Sequence, residues 1–137
     1  KIVYRLQTQL VDALEYIQEN HIVHDPITPD TIIFTEYNEN LKLINVGYAQ
    51  KSSLTEQDTQ ADIRDYGKVL NEVLDHLPTT LPRLRRIANR CENPDHPYRS
   101  VPDLQLALER RNSGQMYVFI CVFIVFMAAL LIWLTNR

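Results

Sequence analysis

The chain has 137 residues, of which 45% are hydrophobic, and it carries a formal net charge of −3. That length is enough for one domain of ordinary size and one further segment. With Arg137 set aside, 13 of the 14 basic residues stand against 17 acidic ones, which gives no electrostatic reason to expect a nucleic-acid partner. The chain has two cysteines, Cys91 and Cys121, too few for a disulfide framework. The His21-x-x-His24 pair has no further metal ligand beside it, so no metal site is expected there.

The first predicted element is an amphipathic helix that ends near Asn20. Apolar residues recur there at the three- and four-residue spacing of a helix, namely Ile2, Leu6, Leu10, Leu14 and Ile17. Asn20 is a residue type that closes a helix in the left-handed region. Two β-rich runs follow, TIIF at 31–34 and LKLINV at 41–46, and the polar TEYNEN between them suits a turn. A small hairpin is therefore predicted.

Three further helices are predicted after the hairpin. The polar segment 50–60 is interpreted as an exposed loop. The helix that follows it carries an apolar stripe, which ends at Pro78. A third helix begins near Pro82 and stops before NPDHP. The run SVPD from Ser100 has the form of a capping box with proline in the first turn, which predicts the start of a fourth helix.

The segment 116–134, MYVFICVFIVFMAALLIWL, has 19 residues and no charge. As a helix it would be about 28 Å long, close to the hydrocarbon thickness of a bilayer. Tyr117 and Trp133 lie near its two ends, where aromatic side chains prefer the membrane interface. A core helix of a small domain is rarely apolar on every face, and a signal peptide lies at the other end of a chain. We therefore predict a transmembrane helix over 116–134.

The charges around this helix predict its orientation. Arg110 and Arg111 precede it and Arg137 alone follows, so the positive-inside rule places the soluble part in the cytoplasm, beneath the plasma or inner membrane. The predicted organisation is a soluble domain over 1–111, a juxtamembrane linker over 112–115, the span, and a short tail over 135–137. Because the chain begins with Lys1, it is interpreted as part of a longer protein.

Five motifs follow one another along the chain: LVDALEYIQENHIVH, HDPITPDT, INVG, ADIRDYG and NPDHPYRSVPDL. In the same order they resemble parts of the C-terminal lobe of the eukaryotic-type protein kinase family: the helix before the catalytic loop, the His-Arg-Asp-x-Lys-Pro-x-Asn loop, the Asp-Phe-Gly motif, the start of the central helix, and a late arginine-bearing segment. A single span after such a lobe is similar to bacterial receptor-type serine/threonine kinases. The resemblance implies a mainly α, α+β fold: a kinase-like C-terminal lobe with a small β-hairpin, without its N-terminal lobe, followed by one transmembrane helix.

The resemblance retains the residues that hold such a lobe together. They are His24, Pro29, Gly47, Asp62, Gly67 and Arg99. In the family the histidine packs in the core near the central-helix aspartate, whose carboxylate accepts backbone N–H groups of the loop. The segment SLTEQ resembles the end of the activation loop, which implies a buried ion pair between Glu56 and Arg99.

The positions that carry the family's chemistry are different here. Pro26 replaces the base aspartate, Thr28 the lysine, and Thr31 and Asn45 the two magnesium ligands. A proline ring accepts no proton, and a neutral amide oxygen is a poor substitute for a carboxylate on Mg²⁺. No catalytic residue and no metal site are therefore expected. Mg-ATP binding is not expected either, and Asn45 is the one candidate contact to a cofactor.

Only eight residues separate Gly47 from Glu56, too few for the usual activation loop and peptide platform. We therefore predict a membrane-anchored pseudokinase lobe that acts as a binding, scaffold or signalling module for protein partners in the cytoplasm, without phosphoryl transfer. Two alternatives stay open. One is a divergent active serine/threonine kinase that uses Asp25 or Asp30 as its base. The other is a structural adaptor to an extracytoplasmic sensor beyond Arg137.

Overall fold

The computed structural model describes residues 2–22, 24, 26–37, 40–44, 51–110 and 113–135. Within that part the chain is mostly helical and contains one two-stranded antiparallel sheet. The helices and strands are α1 (Ile2–Glu19), a 3₁₀ helix (Pro29–Thr31), β1 (Ile32–Phe34), β2 (Leu41–Leu43), α2 (Glu56–Asp75), α3 (Pro82–Glu92), α4 (Val101–Glu109) and α5 (Ser113–Thr135). The prediction of a mostly helical fold with a small hairpin and an apolar C-terminal helix is confirmed.

Helix α1 ends in a reversal whose left-handed residue is His21, with φ of 53°, and not Asn20 as predicted. The Asn20 side chain instead donates from Nδ2 to the Tyr16 carbonyl at 2.8 Å, which satisfies a carbonyl of the last turn. The Ile22 N–H then donates to the Ile17 carbonyl at 2.8 Å, the long bond of a Schellman motif. The prediction for Asn20 was wrong because its amide caps the helix, so the chain reverses one residue later.

The hairpin pairs β1 with β2 and places Ile32 opposite Leu43. The Leu41 N–H donates to the Gln9 side-chain oxygen at 2.6 Å, and this bond attaches the hairpin to α1. Ile32, Leu41 and Leu43 pack against the core. Ile33 is exposed, since neighbouring side chains of a strand point to opposite faces.

Helix α2 begins at Glu56, so residues 56–60, which the sequence placed in an exposed loop, form its first turns. Thr55 is the N-cap: its Oγ1 accepts from the Asp58 N–H at 3.2 Å, and Asp58 Oδ2 accepts from the Thr55 N–H at 2.9 Å. The hydrogen bond from Lys51 and those from Thr55 lower the pKa of Asp58 to about 2. The loop prediction was wrong because the polar composition concealed a capping box.

Helix α2 lies at the centre of the domain, where it packs most extensively on α3 and also on α1. The buried Tyr66 hydroxyl donates to the Gln7 carbonyl at 3.1 Å, which connects α2 with α1. Gly67 faces α3, where an added Cβ would lie 2.6 Å from the Cβ of Cys91. The two helices can therefore approach this closely only because position 67 has no side chain.

Helices α3 and α4 follow the prediction. Helix α3 begins at Pro82. Helix α4 is capped by Ser100, whose Oγ accepts from the Asp103 N–H at 3.3 Å. Gln105 Nε2 donates to Glu15 Oε2 at 2.9 Å, and this bond connects α4 with α1. Helix α4 thus packs on α1 and α3, and α5 follows it along the chain.

Helix α5 contains the predicted span. It begins at Ser113, so the backbone of 113–115, which the sequence assigned to a linker, is already helical. The window Val118–Thr135 is long and apolar enough to cross a membrane, and none of it is buried inside the protein. At 1.5 Å per residue, a helix of this length extends about 27 Å. A helix that is apolar all round and unburied is not a core helix of this domain.

Candidate functional site

The loop between α1 and β1 is fastened through both backbone groups of Ile44. His24 Nε2 donates to the Ile44 carbonyl at 3.2 Å. The Ile44 N–H donates in turn to the Thr31 carbonyl at 2.8 Å. Since only 6% of His24 is exposed, and a carbonyl can only accept, the imidazole is held in its Nε2–H form at this contact. In this structure His24 positions the loop.

The middle of the loop is the 3₁₀ turn, which Thr31 closes with its own side chain. Thr31 Oγ1 donates to the Thr28 carbonyl at 2.8 Å and accepts from the Thr28 N–H at 3.0 Å. Pro29 occupies the first position of the turn, where no N–H is needed. Only 9% of Thr31 is exposed. The hydroxyl is therefore both buried and engaged in hydrogen bonds within the loop.

Asp65 of α2 holds the start of this turn, a contact that the sequence analysis missed. Its Oδ2 accepts from the Ile27 N–H at 3.2 Å. Its Oδ1 lies 3.2 Å from Lys68 Nζ. The signal available in the sequence was the spacing of Asp65 from Asp62, because residues three apart share a helix face. Among the described residues of the loop, Ile27 thus donates its N–H to α2, and the acceptor is Asp65.

Asp62 lies one turn earlier on α2 and is 8% exposed. Burial, and after it the nearby charge of Asp65, raise the pKa of its carboxyl from 3.8 to about 7. The Gln18 amide acts in the opposite direction and lowers it. The Asp62 carboxyl therefore changes its protonation near neutral pH.

This raised pKa predicts that Asp62 makes the fold less stable as the pH rises. Between its unfolded value of 3.8 and its folded value of about 7 the native state holds a proton that the unfolded state has lost, so stability falls with pH in that window. Between about pH 4.5 and 7.5 the loss is on the order of 3 kcal/mol, or roughly 12 °C in Tm. Thermal unfolding of the full chain across that range measures it.

The Asp62→Asn variant should lack this pH dependence, because an amide does not titrate. Asp12→Asn is the matched control, since Asp12 is an exposed carboxylate on α1, and it should keep the wild-type slope. An Asp62→Asn profile parallel to that of the wild type would show that Asp62 titrates normally.

The structure does not bring Glu56 and Arg99 together. Both side chains are exposed, and Glu56 Oε1 accepts from Gln60 Nε2 at 3.1 Å. The ion pairs within the described residues join Lys51 to Asp58, Lys68 to Asp65 and Arg85 to Asp75. The buried pair that the resemblance implied is absent from them, because Glu56 lies in the first turn of α2 and faces solvent.

The remaining predicted positions fall into three groups. Pro26 and Asp30 are exposed on the loop. Asn45, Gly47 and Asp25 lie outside the described residues. Gly67 faces α3, as given above. The structure therefore brings His24 and Thr31 together at Ile44, and places Asp62 and Asp65 on the adjacent helix.

The chain is 46% identical over 59 residues to the protein called Serine/threonine-protein kinase stk11 homolog from Dictyostelium discoideum. The match covers 43% of this chain and 10% of that protein, so the chain spans about a tenth of the length of the curated relative it matches. No family model matches the chain. The chain thus contains a region similar to a serine/threonine kinase. The pseudokinase interpretation and the bacterial type receive no support from this similarity.

Proposed function

We propose that this chain is a kinase-like lobe, anchored to a membrane by α5, that binds a protein partner and does not transfer phosphoryl groups. The similarity to a serine/threonine kinase supports the kinase-like part. The length and apolar character of α5 support the anchor. The order of α1, loop, hairpin and later helices resembles that of the family's C-terminal lobe, on the motifs given above, and this resemblance supports the proposed lobe.

The observation that carries the proposal is the state of the Thr31 hydroxyl. On the resemblance, Thr31 stands where the family has an asparagine that binds Mg²⁺. Here its oxygen is buried, donates to the Thr28 carbonyl and accepts from the Thr28 N–H. Mg²⁺ requires oxygen ligands in near-ideal octahedral geometry. The Thr31 oxygen already uses one lone pair for the Thr28 N–H, and its burial disfavours the hydrated octahedral shell that Mg²⁺ keeps.

Pro26, which stands where the family has its catalytic base, also supports the absence of phosphoryl transfer. Pro26 is exposed on the loop, where a substrate hydroxyl would approach, and it has no proton acceptor in its side chain. Phosphoryl transfer by this family depends on positioned carboxylates, metal ions and a lysine. Pro26, Thr28 and Thr31 supply none of these charges.

Exposed apolar side chains on the hairpin favour a protein partner. Ile33, Phe34 and Tyr37 are 46%, 36% and 97% exposed. The three residues lie close together along the chain, and exposed apolar side chains on a hairpin are available to contact another protein. The arginines before α5 favour a cytoplasmic location for this surface by the positive-inside rule.

The proposal is tested with the full chain in neutral detergent, by thermal unfolding with ATP in the presence and absence of Mg²⁺ and by transfer of labelled γ-phosphate. We expect no Mg²⁺-dependent rise in Tm at ATP concentrations far above ordinary kinase affinities, and no transfer. Neither Pro26→Asp nor Asn45→Asp alone should confer transfer, because the other groups are still missing. Reproducible transfer by the wild-type chain would refute the proposal.

A divergent kinase is the second candidate, and the exposure of Asp30 favours it. The Asp30 carboxylate lies in the 3₁₀ turn, four residues beyond Pro26, and faces solvent. If it acts as the base, transfer occurs in the wild type and is lost in Asp30→Asn. Glu36→Gln is the matched control, because Glu36 is an exposed carboxylate in the hairpin turn. Activity that survives both substitutions would exclude Asp30 as the base.

A further inference from the structure

A cleft of about 590 Å³ is formed by α3, α4 and the segment between them. Five of the chain's 14 basic residues line it, namely Arg83, Arg86, Arg90, Arg99 and Arg110. Asp103 is the one acidic residue among its lining residues. We call this site the arginine cleft. It is positively charged, whereas the chain as a whole carries a net charge of −3.

Two of the five arginines are fixed by contacts with the fold. Arg83 Nη2 donates to the carbonyls of Ala107 and Leu108 at 2.8 and 2.7 Å, which satisfies the C-terminal end of α4. The Arg90 guanidinium lies 4.4 Å from the centre of the Tyr98 ring, a cation–π distance. These contacts hold the walls of the arginine cleft in place.

The other three arginines have no such role. Arg86, Arg99 and Arg110 are exposed, and within the described residues their side chains make no hydrogen bond and no ion pair. Gathered like charges repel one another, so an anion that binds between them is stabilised. The planar guanidinium pairs with phosphate oxygens through two parallel hydrogen bonds. The chemistry of the arginine cleft is therefore that of a phosphate site.

The arginine cleft lies close to the start of α5. Three chain steps separate Arg110 from Ser113, at most about 11 Å, and five helical residues separate Ser113 from Val118, about 7.5 Å. The apolar window of α5 begins at Val118. Polar headgroups occupy the first ~6 Å outside the hydrocarbon, and electrostatic attraction extends about 8 Å further at physiological salt. Arg110 therefore lies at most about 18 Å from the apolar window, so it reaches the headgroup field wherever the chain between Arg110 and Ser113 is less than fully extended.

Apolar side chains also line the arginine cleft. Leu106 lines it and is 60% exposed, and Pro97 lines it as well. Cationic and apolar side chains on one surface are the combination found where a protein lies on the headgroup layer of a bilayer. A soluble anion would leave Leu106 in water, whereas a lipid surface would cover it.

We propose that the arginine cleft binds the phosphate-bearing headgroup of an anionic phospholipid in the membrane that α5 enters. This proposal depends on the proposed membrane span. Tethering by α5 keeps the cleft at millimolar effective concentration of any such lipid in the same leaflet, so modest intrinsic affinity is enough for occupancy. A bound headgroup would also hold the domain against the membrane and fix which surface faces the cytoplasm.

The test uses the full chain in neutral detergent micelles, titrated calorimetrically with a short-chain phosphatidylinositol bisphosphate. We expect saturable binding that weakens as salt increases. The triple variant Arg86→Gln, Arg99→Gln, Arg110→Gln should bind at least tenfold more weakly. The control triple Lys42→Gln, Arg64→Gln, Lys68→Gln removes the same charge from exposed positions outside the cleft and should bind as the wild type does.

Several results would overturn the proposal. Equal losses in both triple variants would show general charge attraction. A soluble inositol phosphate that binds as tightly as the lipid would identify a free-anion site, and a phosphorylated peptide that binds more tightly would identify a protein partner. Absence of binding would refute it outright. The detergent micelle takes up α5 whether or not α5 crosses a bilayer in cells, so these binding results do not depend on the proposed membrane span. Alkaline extraction of membranes tests the span separately.

Discussion

Two arginines in the middle of α5 should release the protein from membranes. Twelve of the 19 residues in 116–134 are Leu, Ile, Val or Phe, and they favour insertion by roughly 4 to 7 kcal/mol as an upper bound. An arginine at the centre of a span costs about 2.5 to 3.5 kcal/mol on the same scale. Val125→Arg with Ala129→Arg places two of them one turn apart, so the pair cancels the driving force.

Alkaline extraction of membranes from cells that express the full chain measures this result. The wild type should stay with the membrane pellet, and the double arginine variant should appear in the supernatant. Val125→Leu with Ala129→Leu changes the same two positions without charge and should stay in the pellet. Retention of the arginine variant would mean that α5 does not cross the bilayer and that another part of the protein holds it there.

The helices and the hairpin could be predicted because each is encoded by neighbours along the chain. The apolar period of α1, the strand composition around the turn, and Pro82 and Ser100 at helix starts are local signals. The errors occurred at helix ends. Thr55 and Asp58 start α2 earlier than composition indicated, and His21 takes the left-handed position beside Asn20. A cap depends on one or two side chains, so averaging over composition conceals it.

The candidate site was predicted less well because its contacts join residues far apart in the sequence. The bond from Ile27 to Asp65 spans 38 residues, and the spacing of Asp65 from Asp62 does not indicate which loop residue it binds. The Glu56–Arg99 pair came from resemblance alone, and the structure does not form it. The arginine cleft did leave a local signal, since Arg83, Arg86 and Arg90 fall at spacings that place them on one face of α3. Its remaining walls come from α4, which only the fold reveals.

Gly67→Ala should destabilise the domain formed by α1 to α4. The added Cβ would lie 2.6 Å from the Cys91 Cβ and 2.8 Å from the Ala88 carbonyl oxygen, and backbone atoms of α3 cannot move without displacing the helix. Overpacking of this kind costs about 3 kcal/mol, against a gain of about 1 kcal/mol in helix propensity. The net loss of about 2 kcal/mol corresponds to roughly 8 °C in Tm.

Thermal unfolding of the full chain in detergent, followed by circular dichroism, tests this prediction. Arg64→Ala is the matched control, because Arg64 is exposed on the same helix, and its Tm should change little. Cys91→Ala should not rescue Gly67→Ala, since the closest contact is with the Cβ that alanine retains. A Gly67→Ala protein as stable as the wild type would mean that α2 and α3 are further apart than described. Because α3 carries three arginines of the cleft, their placement would then change as well.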